Sequence, residues 1–249
     1  MRRFLLSVIV MILGTFQSVQ ATPLYLFGGG VRPKSALESF VRASHPGPIL
    51  VITWATMEPD LVFASIERDL KAAGAGQVLK SAHQIFTQKD LAALEDQINL
   101  ATSVFFTGGD QNLALDTIEK FNIKEKLKRA FESGKIFAGT SAGTALMPEL
   151  AMKGGGPYDV PELRFGLGLT PYFVDQHFIV RDRELRLKKL VARDRLLGIG
   201  VDEGMCALIE SEKLIAFGPT EVQIFVPSGN AGIQKYSVVD GQEFKLAIR

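Results

Sequence analysis

The sequence predicts an α/β fold in which a mostly parallel sheet lies between layers of helices. Strand-like and helix-like segments alternate through residues 24–201, and the strand-like segments are apolar on both faces. A strand that is apolar on both faces is typical of a parallel sheet covered on both sides. After Val201 the chain changes to short strand-like runs separated by Gly, Pro and Ser, which predicts C-terminal β-hairpins at the edge of the sheet.

The predicted elements follow in order along the chain. Apolar runs predict strands at 24–27, 48–54, 77–83, 103–106, 135–138 and 197–201, with a polar-interrupted apolar run at 172–178. Amphipathic spacing predicts helices at 35–43, 59–73, 90–100 and 113–133, the last of them broken near Asn122. The C-terminal strand-like runs are 206–209, 213–217, 222–226 and 235–239.

The N-terminal segment has the pattern of a secretory signal peptide. Basic residues at positions 2 and 3 precede an apolar run over 4–16, and a small residue, Ala21, marks the expected cleavage site. The alternative is an uncleaved membrane anchor, but the apolar run is shorter than the ~20 residues that span a bilayer. We therefore expect a signal peptide at 1–21, a single domain at 22–249, and an exported protein, periplasmic or extracellular, that leaves the membrane after cleavage.

The overall composition excludes several classes of function. The formal net charge is +1, so nothing in it favours nucleic acid or an anionic membrane as a partner. The single cysteine, Cys206, lies in an apolar run and is expected to be a buried thiol outside any internal disulfide. Three scattered histidines and one cysteine offer no ligand spacing, so neither a metal nor another cofactor is expected.

The motif Gly139-Thr140-Ser141-Ala142-Gly143 follows a predicted strand and has the pattern of a nucleophile elbow. In such a turn the serine hydroxyl is exposed at a sharp bend, and small neighbours allow a substrate to approach the backbone. The N–H of the next residue, Ala142, can then donate to a developing oxyanion. This pattern predicts a serine hydrolase with Ser141 as its nucleophile.

A nucleophilic serine needs a base, and the chain has three histidines. His45 lies in a turn and His83 at a strand edge, whereas His177 lies in a polar interruption of an apolar run. Burying such polar groups is costly unless they are paired, so we expect His177 to be the base. Its carboxylate partner is either Asp175, two residues earlier on the strand, or Glu203, just past a strand end.

Two further segments near these residues are candidate parts of the site. Gly109, in a Gly–Gly turn after a strand, permits close approach and a second oxyanion donor, and Gln111 can cap the next helix or contact substrate. A run of three arginines, Arg181, Arg183 and Arg186, can bind carboxylates in bidentate fashion. The alternative for the arginines is a solvated helix face paired with neighbouring acidic residues.

Together these motifs resemble those of peptidase family S51, and within it the cyanophycinases. The matching motifs are G-G-D-Q at 108–111, G-T-S-A-G at 139–143, D-Q-H-F at 175–178, R-x-R-x-x-R-L at 181–187 and the D-E pair at 202–203. Their order matches across most of the mature chain. The D-Q-H-F and triple-arginine run is the specific part, since the smaller aspartyl dipeptidases of the family are not expected to carry all of it. Thr144 departs from the alanine that is frequent there.

The resemblance implies a fold and a set of residue roles. The implied fold is a three-layer sandwich like the class I glutamine amidotransferases (flavodoxin-like), and the implied catalytic residues are Ser141, His177 and Glu203. The implied substrate-binding residues are Gln111, Asp175, Gln176, Arg181, Arg183 and Arg186. A homodimer is a further expectation of the resemblance.

The resemblance also implies a substrate, cyanophycin, which is a poly-aspartate backbone with arginine on each β-carboxyl. The expected product is the β-aspartyl-arginine dipeptide, and Glu58 is a candidate contact for the substrate arginine. One alternative is an aspartyl or isoaspartyl dipeptidase of the same family, because cyanophycin is stored inside cells whereas this chain carries an export signal. The other is a catalytically silent binding homologue.

Overall fold

The computed structural model of the protein describes residues 22–82, 87–230 and 232–246. The predicted signal peptide and His83 lie outside these ranges. Within them the elements follow in chain order as β1 (Leu24–Phe27), α1 (Lys34–Ser44), β2 (Ile49–Ile52), α2 (Pro59–Ala72), β3 (Val78–Lys80), α3 (Gln88–Leu100), β4 (Ser103–Phe106), α4 (Gln111–Lys120), α5 (Lys124–Glu132), β5 (Ile136–Thr140), α6 (Ala142–Ala145), β6 (Leu150–Met152), β7 (Leu163–Phe165), β8 (Phe173–Gln176), α7 (Glu184–Asp194), β9 (Gly198–Val201), β10 (Cys206–Glu210), β11 (Lys213–Phe217), β12 (Glu221–Ser228), β13 (Gly232–Val239) and β14 (Glu243–Lys245).

The central sheet of the described chain has eight strands in the spatial order β14–β11–β10–β1–β5–β4–β2–β3. The five neighbouring strands β1, β5, β4, β2 and β3 run parallel to one another. Beyond β1, the strands β10, β11 and β14 continue the sheet in antiparallel pairs. Strands β1, β2, β4 and β5 are buried along their whole length. The predicted α/β fold with a mostly parallel sheet is therefore confirmed.

Helices cover both faces of this sheet, which makes the structure a three-layer sandwich. On one face, Phe40 of α1 and Leu70 of α2 pack in a core cluster with Phe105 of β4. On the other face, Leu115 of α4 packs in a second cluster with Phe106, the next residue of the same strand. Because successive strand residues point to opposite faces, one apolar strand contributes to both cores.

The strands β13–β12–β9–β8 form a separate four-stranded sheet. This differs from the prediction, which placed the runs 222–226 and 235–239 at the edge of the central sheet. The reason lies in the two faces of β12: Ile224 belongs to the core cluster shared with the central sheet, whereas Phe225 packs with Leu187 and Leu190 of α7. With both faces occupied, β12 is buried between the central core and α7, and β9 is its neighbour.

Local signals account for several helix ends. Thr87 and Asp90 form a capping box at the start of α3. The predicted break near Asn122 is present: α4 ends at Lys120, α5 starts at Lys124, and Asn122 has φ 51°. Asparagine tolerates this left-handed conformation better than most residues. None of the helices in the described ranges has the length and apolar composition needed to cross a membrane.

Most of the candidate site segments, and the glycine turn 28–30, follow the carboxyl ends of strands. Residues 28–30 follow β1, 107–110 follow β4, Ser141 follows β5, and His177 follows β8; residues 202–203 follow β9. Carboxyl ends of neighbouring parallel strands meet at one edge of a sheet, where α/β proteins place their sites. This rule brings together the segments after β1, β4 and β5 of the central sheet. The ends of β8 and β9, in the second sheet, are joined to the turn after β1 by hydrogen bonds from the His177 N–H to the Gly28 carbonyl and from the Gly204 N–H to the Gly29 carbonyl.

Candidate active site

Ser141 lies at the bend between β5 and α6 with φ 52° and ψ −114°, an unusual backbone conformation for a residue other than glycine. The glycines of the motif allow the bend. A Cβ on Gly139 would lie 2.2 Å from the Gly143 carbonyl oxygen, and one on Gly143 would lie 2.2 Å from the Phe106 carbonyl oxygen. The strand–turn–helix setting of the motif is thus present, and its strain is held by close backbone packing.

His177 lies directly against this serine. The Ser141 Oγ and His177 Nε2 atoms are 2.7 Å apart, within hydrogen-bond distance. The backbone N–H of His177 donates to the Gly28 carbonyl, 2.9 Å away, which ties the end of β8 to the end of β1. A Cβ on Gly29, which has φ 121°, would lie 2.3 Å from the imidazole Cε1. Glycine at this position therefore leaves room for the ring.

Glu203 contacts the other nitrogen of the same imidazole. His177 Nδ1 and Glu203 Oε1 are 2.6 Å apart. A carboxylate accepts hydrogen bonds, so this contact places a proton on Nδ1 and leaves Nε2 as the acceptor for the serine hydroxyl. The side chain of His177 is 10% exposed and that of Glu203 is 42% exposed. The structure thus joins Ser141, His177 and Glu203 in a single hydrogen-bonded chain.

Asp202, the first residue of the D-E pair, holds the turn that follows His177. Its Oδ1 accepts from the backbone N–H groups of Ile179, at 2.9 Å, and Val180, at 3.0 Å. A carboxylate that caps two backbone donors fixes the conformation of that turn. The two acidic residues therefore have different roles: Glu203 contacts the imidazole, and Asp202 fixes the backbone beside it.

The surroundings of His177 lower the pKa of its imidazole below the ordinary 6.5. Burial is the largest cause, because it disfavours the charged imidazolium. The hydrogen bond that His177 Nδ1–H donates to Glu203 raises the pKa, and the positive charge of Arg181 lowers it further. At neutral pH the ring is consequently uncharged and can accept a proton.

Gly109 and Ala142 belong to the two turns that meet at the serine: Ala142 follows Ser141 in the chain, and a Cβ on Gly108, next to Gly109, would lie 3.4 Å from the Ser141 Cβ. Gly109 has φ 134°, and a Cβ there would lie 1.9 Å from the Ala55 carbonyl oxygen. The same carbonyl accepts from the N–H of Asp110 at 2.6 Å, which holds the turn. Across residues 22–82, 87–230 and 232–246, no group accepts a hydrogen bond from the N–H of Gly109 or of Ala142. Two unused donors flanking a nucleophile have the composition of an oxyanion hole.

Three of the predicted substrate-binding residues form a buried ion-pair network. Asp175 is fully buried; Arg186 Nε and Nη2 lie 2.6 and 2.5 Å from its two carboxylate oxygens, and Arg186 Nη1 donates to the Gly155 carbonyl. Arg183 Nη1 lies 3.1 Å from Asp175 and 2.6 Å from the carbonyl of Gln176. The structure therefore places these side chains against one another and against backbone, with Arg186 only 2% exposed.

The other predicted substrate residues are more accessible or lack partners. Arg181 is exposed, and its guanidinium forms no ion pair within the described ranges. Gln176 is 7% exposed, and its side-chain amide has no hydrogen-bond partner in the same ranges. Gln111 Nε2 donates to the carbonyls of Met152 and Lys153. Glu58 is exposed and precedes α2.

Thr144 has a contact that the sequence does not predict. Its buried hydroxyl lies 2.7 Å from the Phe27 carbonyl oxygen and 2.6 Å from the Gly139 carbonyl oxygen. The first carbonyl ends β1 and the second begins the elbow motif, so Thr144 joins two strands that carry the site.

A cavity of about 580 Å³ opens beside the serine. Its lining includes Ser141, Gly29 and Gly109, together with Arg32 after β1 and Arg68 on α2. Neither arginine belongs to a motif that the sequence predicts to be functional. The position of Arg32 shortly after a strand end was the available signal, since that is where such sheets place functional side chains.

The order serine, neutral imidazole, carboxylate, with backbone donors beside the serine, is the arrangement of the serine hydrolases. No group of three or more potential metal-ligating side chains occurs in the part of the chain that the structure describes. The fold and this geometry together define the class of protein, an α/β protein whose serine, imidazole and carboxylate are arranged as in the serine hydrolases.

Comparison with known proteins defines the family. Residues 34–217 match the model of peptidase family S51. A cyanophycinase from Trichormus variabilis is 34% identical over 194 residues, which cover 72% of this chain and 63% of that protein. The chain thus spans less than two thirds of the length of this relative. The chain belongs to peptidase family S51, a family of serine-type peptidases, as its motifs predict.

More distant similarities agree with this assignment. Peptidase E from Streptomyces coelicolor is 25% identical over 184 residues, covering 70% of this chain and 72% of that protein. A crystal structure of a peptidase from an acI-B1 actinobacterium superposes with a TM-score of 0.68 at 17% identity, over 92% of this chain and 99% of that one. At that identity the match shows a shared fold.

Proposed function

We propose that the protein is an exported serine exopeptidase that hydrolyses cyanophycin to β-aspartyl-arginine dipeptides through an acyl-enzyme. The observation that carries the proposal is the chain of hydrogen bonds at the site. Ser141 Oγ lies 2.7 Å from His177 Nε2, and His177 Nδ1 lies 2.6 Å from Glu203 Oε1. A serine in contact with a neutral base that is itself oriented by a carboxylate is an activated nucleophile.

In the acylation step Ser141 Oγ attacks the carbonyl carbon of the scissile amide while His177 Nε2 takes the hydroxyl proton. The negative charge that develops on the carbonyl oxygen is stabilised by the free N–H groups of Gly109 and Ala142. His177 then donates its Nε2 proton to the leaving nitrogen, the C–N bond breaks, and an ester on Ser141 remains. Glu203 stabilises the imidazolium while it carries both protons.

Deacylation repeats the sequence with water as the nucleophile. His177 Nε2 removes a proton from water, the resulting hydroxide attacks the ester carbon, and the same N–H groups stabilise the oxyanion. Return of the proton to Ser141 Oγ releases the acid product and restores the free enzyme. The lowered pKa of His177 supports this cycle, because the ring is neutral at the start of each half-reaction.

The choice of cyanophycin is supported by similarity to a relative named cyanophycinase and by the cationic surroundings of the site. That relative is 34% identical over 72% of this chain. Arg181, whose positive charge acts on His177, is exposed at the turn that Asp202 holds. An exposed guanidinium near the base suits a substrate that carries free carboxylates, as an arginine-substituted aspartate polymer does.

The direct test is hydrolysis of purified cyanophycin by the mature protein. We expect release of β-aspartyl-arginine by the wild type, loss of that release in Ser141→Ala, and full activity in Ser133→Ala. Ser133 is an exposed serine at the C-terminal end of α5, and its hydroxyl donates to the Ala130 carbonyl. Polymer hydrolysis that persists in Ser141→Ala would sink the proposal.

A second candidate function is hydrolysis of short aspartyl or isoaspartyl peptides. It is supported by the 25% identity to Peptidase E of Streptomyces coelicolor, which covers 70% of this chain. The same assay separates the two functions, because this candidate predicts cleavage of α- or β-aspartyl dipeptides while the polymer remains intact. A silent binding homologue predicts neither reaction, with unchanged polymer and dipeptides.

Export is part of the proposal and rests on the basic and apolar pattern of residues 1–21. If the signal is cleaved after Ala21, N-terminal sequencing of the protein recovered from the periplasm or the medium starts at Thr22. An unprocessed chain that starts at Met1 and is confined to the cytoplasmic fraction is the contrary result.

A further inference from the structure

Two arginines, Arg32 and Arg68, form a cationic wall of the cavity beside Ser141, and neither has a role in the reaction proposed above. The cavity, about 580 Å³ in volume, is lined by Ser141 and Gly30 and by residues of α2. The charged side chains in its lining are Arg32, which follows the glycine turn after β1, and Arg68 on α2. Among the residues that the structure describes, no carboxylate contributes to the lining, and the two charged groups there are both positive.

One carboxylate behind the wall is shared by both arginines. Asp69 Oδ2 accepts from Arg32 Nε at 2.8 Å and also from Arg32 Nη2, while Asp69 Oδ1 lies 3.7 Å from Arg68 Nε. Two guanidinium groups against a single carboxylate leave a net positive charge. Glu203 also approaches the cavity, with Oε2 3.1 Å from a Cβ placed on Gly30, but its Oε1 accepts from His177 Nδ1.

Arg32 is held in a fixed orientation. Besides Asp69, its Nη2 donates to Ser65 Oγ at 3.3 Å, and the side chain is only 13% exposed. Its Nη1 donates to no group in the described part of the chain. A guanidinium that is already oriented and partly shielded from water binds a carboxylate at lower entropic cost and with less screening than a mobile surface arginine. Arg68, 75% exposed, adds a second cation at the rim.

We propose that Arg32 and Arg68 form a carboxylate-binding subsite next to the nucleophile. The proposal rests on the proposed function, because it assigns the ligand to the substrate that Ser141 attacks. The cationic wall repels the guanidinium of an arginine-substituted substrate and attracts a free carboxylate. In a β-aspartyl-arginine polymer that carboxylate belongs either to the main-chain terminus or to the arginine itself.

The test compares three short β-aspartyl-arginine oligomers: one with all carboxylates free, one amidated at the main-chain terminus, and one amidated at the arginine carboxylates. For the free acid we expect KM to rise about 10- to 100-fold in Arg32→Met and by a smaller factor in Arg68→Ala. Arg32→Lys keeps the positive charge but loses the planar guanidinium, and we expect its KM to lie between those of the wild type and Arg32→Met. The matched control is Arg129→Ala, an exposed arginine of α5 in the opposite helical layer, with unchanged KM.

The amides identify which carboxylate is bound. For the analogue that lacks the bound carboxylate, we expect KM to be already high in the wild type and insensitive to Arg32→Met. The subsite is refuted if the arginine variants change KM equally for all three oligomers or for none. Arg68→Ala keeps the test valid if Arg32→Met fails to fold, since Arg68 is largely exposed.

Binding to the Ser141→Ala protein separates this proposal from the proposed function. Calorimetry with the same oligomers reports the preference for the acid over the amide without any turnover. A preference that depends on Arg32 supports the subsite even if the wild type hydrolyses none of the oligomers. Hydrolysis without such a preference supports the proposed function and overturns the subsite.

Discussion

At the scale of single residues, the site depends on glycines whose backbones lie against neighbouring carbonyls. Gly109→Ala would place a Cβ 1.9 Å from the Ala55 carbonyl oxygen at φ 134°, so the turn and its free N–H must move. Because an oxyanion donor contributes a factor of about 100 or more, we expect kcat to fall by at least that factor. Steady-state kinetics on the substrate that the wild type hydrolyses measure it.

Gly74→Ala is the matched control for this change. Gly74 also has positive φ, 97°, but an added Cβ there meets nothing within 4 Å. We expect a loss of about 1 kcal/mol in unfolding free energy from the backbone conformation alone, with kcat unchanged. An equal fall of kcat in both variants would mean that Gly109 acts through stability, contrary to its role as an oxyanion donor.

The lowered pKa of His177 predicts the acid side of the pH–rate profile. The neutral ring is the active form, so kcat/KM is constant above the pKa and falls tenfold per pH unit below it, with a midpoint below 6.5. Glu203 raises the pKa through its hydrogen bond, so Glu203→Gln should shift the midpoint to lower pH. We also expect its plateau to fall by about 10³- to 10⁴-fold, because the amide no longer fixes the tautomer.

A midpoint above 6.5 in the wild type, or a shift to higher pH in Glu203→Gln, would contradict this account of the base. Asp202→Asn is a useful comparison. Asp202 caps the turn at Ile179 and Val180 and has no contact with the imidazole nitrogens, so the midpoint should stay close to that of the wild type.

Single residues show what the sequence can and cannot predict about the site. The spacing of the elbow glycines around Ser141 predicts a turn, and the structure contains it. The turn is predictable because its close packing depends on local backbone chemistry. The choice between Asp175 and Glu203 as partner of His177 was open from the residues alone. Asp175 lies two residues before His177, whereas Glu203 lies in a distant segment of the chain. Only the assembled fold shows which of the two contacts the imidazole.

At the scale of elements, buried ion pairs join β8 to α7. Asp175 of β8 is fully buried and contacts both Arg186 of α7 and Arg183 just before it. Breaking a buried pair by neutralising one partner leaves an uncompensated charge, so we expect Asp175→Asn to lower the unfolding free energy by about 3–5 kcal/mol. Urea denaturation, followed by circular dichroism, measures this loss.

Arg181 provides the control for this loss of stability, and Arg186 tests the alternative that the arginine run binds substrate. Arg181→Ala, at an exposed arginine of the same run, should leave the unfolding free energy within about 0.5 kcal/mol of wild type. If Arg186 instead binds substrate, as the family resemblance implies, Arg186→Met should raise KM while the unfolding free energy stays unchanged. A large loss of stability in that variant favours the structural role.

The elements also show the limit of local sequence patterns. Apolar runs predict where β12 and β13 lie, but not that they pair with β9 in a second sheet. Pairing depends on what covers each face, and α7 packs on Phe225 from a segment about 40 residues earlier in the chain. The Asp175 network is hidden for the same reason, since sequence spacing alone does not distinguish a buried partner from a solvated one.

At the scale of the whole molecule, the sheet carries a core on each face, and Cys206 is buried in one of them. Burial raises the pKa of its thiol well above the ordinary value, so the reactive thiolate is scarce in the folded protein. We expect an aromatic disulfide reagent to label Cys206 only in denaturant, along the same transition as circular dichroism. Rapid labelling of the native protein would show that this core opens without global unfolding.

The oligomeric state of the protein and its export from the cytoplasm remain predictions. The resemblance predicts a homodimer, which sedimentation equilibrium of the mature protein tests. The cavity beside Ser141 is lined by residues that follow β1 and β4, by the end of β5 and by α2, so it needs several elements of the sandwich in addition to the elbow.

The most direct test of the central claim is mass spectrometry of the protein after reaction with a fluorophosphonate, which labels activated serines without requiring a known substrate. If Ser141 is activated by His177 and Glu203, one adduct forms on the peptide that contains Ser141, and it is absent in His177→Ala. No adduct on the folded wild type, or an adduct on a different serine, would contradict the account.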